Sequence, residues 1–124
     1  MDTRTKILRD IDTLQPAAPV VMVTGHFDIL RWELVKELAG ARDRTGAQTM
    51  IAIVQPMTDE FVPAASRAEM AAALRVIDYV FIAGNEEVER LAAALHPIEI
   101  IHFEEADQRR TRQLIEHVHR LQSS

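Results

Sequence analysis

Apolar residues in this chain gather into four short runs rich in β-branched side chains, at 20–24 (VVMVT), 49–54 (TMIAIV), 78–83 (DYVFIA) and 98–103 (IEIIHF). Each run is too short for a typical helix and largely apolar on both faces, which predicts strands buried on both sides. Between the runs the period changes. Leu30, Leu34, Val35 and Leu38 recur at helical spacing, as do Met70, Leu74 and Ile77, then Val88, Leu91, Ala92 and Leu95, and finally Leu114, Ile115, Val118 and Leu121. Strands alternating with helices imply a parallel sheet with helices on both faces, and right-handed crossovers make that an α/β, Rossmann-like three-layer sandwich. Ahead of the first strand, Ile7, Leu8, Ile11 and Leu14 predict an amphipathic helix over 3–14, ended by Pro16 and Pro19. The chain reads as one domain over 1–124, with an N-terminal helix and linker at 1–18 and the core at 19–124.

Composition narrows the partners. The 124 residues are 48% hydrophobic, which is enough for a compact core. A formal charge of −5 argues against a nucleic-acid footprint, which depends on clustered Lys and Arg. The chain has no cysteine, so disulfides and thiolate chemistry are excluded. The opening MDTRTKILRD lacks the apolar core of a secretory leader, and no segment approaches the roughly 20 apolar residues of a membrane span. The expectation is a cytoplasmic protein with no nucleic-acid and no membrane partner.

The first junction, VVMVTGHFDILRWELVKELAGAR over 20–42, runs an apolar strand into Gly25 and then an amphipathic helix led by Asp28. Glycine lets backbone come close to a ligand, and free N–H groups at a helix N-terminus favour an anion. The same residues also make an ordinary turn, with Asp28 as N-cap, whether or not anything binds. The stretch resembles the opening of the cytidylyltransferase-like nucleotidyltransferases, Gly-x-Phe-Asp-x-Leu-His-x-Gly-His. Gly25, Phe27, Asp28 and Leu30 match in register; the two histidines and the intervening glycine are here Arg31, Leu34 and Glu33. Residues 67–84, RAEMAAALRVIDYVFIAG, are similar to the segment in bacterial sugar-phosphate nucleotidyltransferases of the ADP-heptose and glycerol-3-phosphate type, where an Arg-Ala-Glu helix leads into a Val-Asp-x-Val strand. The resemblance implies strand order 3-2-1-4 and a nucleotide, ATP or CTP with Mg²⁺, as the ligand. Open α/β sheets bind ligands beyond the carboxyl ends of their strands at the topological switch point. That point sets Thr24, Gly25, His26, Phe27 and Asp28 opposite Phe103, Glu104 and Glu105.

Each candidate carries two readings. The His26 imidazole can meet a phosphate or move a proton near neutral pH; alternatively it is a half-exposed loop residue. Arg31, at the first motif-histidine position, can grip a phosphate through its planar fork but cannot act as a general acid. Leu34, at the second, offers no polar atom and reads as core. Arg67 matches the family's helix-start arginine, either as a phosphate contact or as a solvated first-turn residue paired with Glu69. Ser66 with Glu69 has the capping-box pattern. The segment QPMTDEFVPAASRAE stands where the family has a basic loop, yet it carries Asp59, Glu60 and Val62. In HFEEADQRRTRQLIEHVHR, Glu104 and Glu105 suit a helix start, and Arg109, Arg110 and Arg112 either reach a phosphate or form a solvated face. His117 and His119, two apart on a helix, cannot share a metal. Neither a Gly-x-Ser-x-Gly elbow nor a P-loop is present.

Together these residues predict a degenerate, catalytically impaired nucleotidyltransferase-like domain. A nucleotide or small phosphorylated ligand would be held at the first strand–helix junction by Thr24, Gly25, His26, Phe27, Asp28, Arg31 and Arg67. Two alternatives stay open. One is an active nucleotidyltransferase passing AMP or CMP to a sugar phosphate with release of pyrophosphate, with His26 and Arg31 as catalytic candidates. The other is a non-catalytic, homodimeric interaction module.

Overall fold

A computed structural model describes residues 3–9, 14–27, 32–57 and 62–103. Four parallel strands form the sheet: β1 (Val20–Gly25), β2 (Thr49–Val54), β3 (Tyr79–Ile82) and β4 (Glu99–His102), in the order β3-β2-β1-β4. Three helices connect them: α1 (Trp32–Thr45), α2 (Ala64–Ala72) and α3 (Asn85–Leu95). The central strands β1 and β2 are buried at every position, as their two-sided apolar sequences require.

Alternation along β1 sorts its side chains into two cores. Val21 and Val23 pack with Leu34, Leu38 and Ala41 of α1 and with Ala68, Ala71 and Ala72 of α2. Val20 and Met22 pack on the other face with Val88 and Leu91 of α3. The result is the α/β three-layer arrangement, with α1 and α2 on one face and α3 on the opposite face.

The N-terminal segment departs from the predicted helix over 3–14. Thr3–Lys6 is a single 3₁₀ turn, after which Ile7 pairs in parallel with Val80 and the Leu8 N–H donates to the Val80 carbonyl at 2.8 Å. Consecutive residues show why. Ile7 packs against the α1–α2 core and Leu8 against the α3 core, a two-residue alternation that extended chain satisfies and a helix does not. Lys6 Nζ fastens the segment by donating to the carbonyls of Ile77 at 2.8 Å and Leu74 at 3.2 Å. Ile11 lies outside the described residues, as does the predicted C-terminal helix with Leu114, Ile115, Val118 and Leu121.

The second helix is also shorter than its periodicity predicts. It ends at Ala72, so Leu74 and the fully buried Ile77 sit in the turn leading to β3. Its start differs as well: Pro63 is the N-cap, with no side-chain capping bond, and Ser66 lies inside the helix. Proline's fixed φ suits the entry to a helix, and this displaces the Ser66–Glu69 box from the terminus. At the amino end of the sheet, Asp78 Oδ2 accepts from the Met50 N–H and from Arg42 Nη1, both at 2.9 Å. Arg42 also donates to the carbonyls of Val76 at 2.6 Å and Gln48 at 2.7 Å.

Candidate functional site

The chain winds outward from β1 through β2 to β3 and then returns past β1 to β4, so the switch point lies between β1 and β4 at their carboxyl ends. Thr24 and His102 face each other there in register, and Thr24 Oγ1 shares a 2.8 Å hydrogen bond with His102 Nδ1. Thr24 is fully buried; His102 is exposed.

Gly25 follows, and its neighbours explain the missing side chain. A Cβ built there would lie 3.3 Å from Phe27 Cε2 and 3.5 Å from Phe103 Cβ. The room beside Gly25 is therefore filled by two phenylalanines, both buried, rather than left open. Phe27 reaches this position with φ at 56°, the left-handed region that bulky side chains rarely occupy. Such a conformation costs on the order of 1–3 kcal/mol. Burying the ring contributes a comparable ~1.5–3 kcal/mol, so packing offsets the strain.

Arg67 is the largest fully buried side chain of the described residues. It is therefore not a solvated partner of Glu69. Its Nε donates to the Val62 carbonyl at 3.0 Å, and its Nη1 donates to the carbonyls of His26 at 2.9 Å and Gln55 at 2.7 Å. One guanidinium thus joins the exit of β1, the exit of β2 and the approach to α2. This satisfies carbonyls that would otherwise be stranded away from water.

His26 is held by that bond through its backbone, whereas its side chain is less settled. Its Nδ1 is buried and makes no hydrogen bond among the described residues. An unsatisfied buried polar atom costs roughly 1–3 kcal/mol, and such atoms call for an explanation. Across the turn, Gln55 donates its N–H to the Gly25 carbonyl at 2.9 Å and its Nε2 to Asn85 Oδ1 at 2.7 Å. The sheet end thus also presents a pair of carboxamides.

Of the residues singled out in the sequence, Thr24, Gly25, His26 and Phe27 come together at the switch point, with Arg67 packed beneath the turn. Asp28 and Arg31 lie outside the described residues, as do Asp59, Glu60, Glu104, Glu105, Arg109, Arg110 and Arg112. Leu34, at the second motif-histidine position, is a core residue of α1 at 2% exposure. Gln55, Asn85 and His102 were not anticipated. A polar residue closing an otherwise apolar strand was the available signal for Gln55 and His102, but only the strand order sets them at the same end.

Among the described residues no group of three or more His, Asp or Glu is placed to hold a metal ion. No helix among them is long and apolar enough to cross a membrane. A cavity of about 600 Å³ lies beside β3, where Leu8, Arg9, Ala68, Phe81 and Leu91 contribute to its walls. Comparison of the chain with known proteins returns no matching family model and no matching curated sequence. What stands is the Rossmann-like α/β architecture and the geometry of this sheet end.

Proposed function

We propose that the chain is a nucleotidyltransferase-like domain that has lost nucleotidyl transfer and binds a nucleotide or small phosphorylated ligand at the β1–α1 turn. The observation that supports it best is the state of Arg67, the one cation of the family pattern that this sequence keeps beyond the first junction. Its donors serve three backbone carbonyls, so it shapes the site rather than stabilising charge on a transferring phosphoryl group. Leu34 agrees, since the position of the second motif histidine is occupied by core. Retained binding is supported by the place of the turn, which leaves β1 at the switch point where open α/β sheets take ligands.

Thermal unfolding with ATP or CTP, each with and without Mg²⁺, tests the reading, because a ligand that binds only the native state raises the midpoint with concentration. The expected result is a shift with at least one nucleotide, and no pyrophosphate release when sugar phosphates are added. Pyrophosphate release would establish the active enzyme instead. No shift at millimolar nucleotide would sink the binding reading. The interaction module is favoured only by the exposure of Trp32, Ile82 and Ile98, and sedimentation equilibrium would reveal its dimer.

A further inference from the structure

Resting on the binding reading above, we propose that the paired carboxamides of Gln55 and Asn85 read the base of the bound nucleotide. The edge they fit sets an amino group beside a ring nitrogen, as adenine and cytosine do. Ligands of open α/β sheets collect at the end where the strands exit. Gln55 leaves β2 there, and its N–H donates to the Gly25 carbonyl at 2.9 Å, which sets it against the turn that leaves β1. Gln55 is only 7% exposed. Burying a carboxamide is costly unless its polar atoms find partners. One does: Nε2 donates to Asn85 Oδ1 at 2.7 Å. Asn85 opens α3, where asparagine commonly caps a helix, yet Gly84 is the N-cap and no side chain makes a capping bond. The Asn85 side chain is turned to Gln55 instead.

The bond between the two amides uses one donor and one acceptor. Gln55 Oε1 is left as an acceptor and Asn85 Nδ2 as a donor, with no further hydrogen bond from either side chain among the described residues. Exchanging oxygen and nitrogen in both amides preserves the bond and again leaves one acceptor and one donor. Asn85 is exposed, so the pair opens to solvent. An amino group donating to the free oxygen and a ring nitrogen accepting from the free N–H satisfy both, the two-bond match by which carboxamides take adenine.

Calorimetric titration of the full chain in Mg²⁺ compares ATP with purine riboside triphosphate, which lacks the amino group, and CTP with its analogue lacking the 4-amino group. Charge is equal within each pair, so the affinity ratio reports on the base alone. For the nucleotide that binds, the analogue should be weaker by about tenfold. Asn85→Ala removes the bond that orients the Gln55 amide and should bring this ratio close to one. Equal affinity of nucleotide and analogue for the parent chain overturns the inference and leaves the binding reading intact, as does a tenfold ratio that Asn85→Ala leaves unchanged. Absence of binding by both ATP and CTP overturns the two together.

Discussion

The buried guanidinium of Arg67 donates to the carbonyl of His26 at 2.9 Å, across 41 positions of sequence. Through this bond α2 holds the turn that leaves β1, and the same nitrogen reaches Gln55 at the exit of β2. The shape of the sheet end therefore depends on a side chain that is fully buried.

Replacing Arg67 with Met should strand the carbonyls of Val62, His26 and Gln55. An unsatisfied buried acceptor costs roughly 1–3 kcal/mol, so the expected loss is at least about 3 kcal/mol. Urea unfolding measures it, and a midpoint within error of the parent chain would show that the clamp contributes nothing. Arg67→Lys should recover only part of the loss, since an ammonium lacks the fork that reaches three carbonyls.

Gly25 and Phe27 should be coupled. Gly25→Ala places a methyl group 3.3 Å from the Phe27 ring, with an expected destabilisation of about 1 kcal/mol from overpacking. In Phe27→Leu that clash is relaxed, so the double variant should be more stable than the sum of the singles by at least about 0.5 kcal/mol. Strict additivity in a double-mutant cycle would mean the methyl meets something other than the ring.

Asp78 joins two elements at the opposite end of the sheet, where it accepts from Met50 N–H and from Arg42. Asp78→Ala removes the acceptor of both bonds, at an expected cost of about 1–3 kcal/mol. The amide of Met50 should lose hydrogen-exchange protection before the amides of β1 do. Equal loss across both strands would point to global unfolding rather than to a local tie.

Lys6 is the anchor of the N-terminal segment, through the carbonyls of Leu74 and Ile77. Lys6→Ala should cost about 1 kcal/mol and raise the exchange rate of the Leu8 amide, which is bonded to Val80. If Leu8 stays protected, the pairing with Val80 holds the segment without Lys6.

The helices that cover the sheet and the four runs that build it were legible because burial on a sheet face or a helix stripe leaves a periodic trace. Segment lengths were less so. The pattern Met70, Leu74, Ile77 continues past the end of α2 because a turn packed on the core needs apolar residues just as a helix does. Ile7 and Leu8 fit a helical stripe equally well in the abstract, but the open edge of β3 at Val80 favours extended pairing. At the site, Gly25 and Phe27 stood out by motif, although the ring packing that requires a glycine did not.

By itself the sequence determined the class of fold and the end of the sheet at which to look, since alternating periods and strand exits are local properties of the chain. Only the tertiary structure decided what Arg67 does. Three carbonyls that it bonds among the described residues lie 5, 12 and 41 positions away, and no local pattern distinguishes a guanidinium bonded to buried carbonyls from one in water. The same holds for the orphaned nitrogen of His26 and for the meeting of Gln55 with Asn85. Periodicity records which side of an element is buried; the partner found there depends on how distant segments cross.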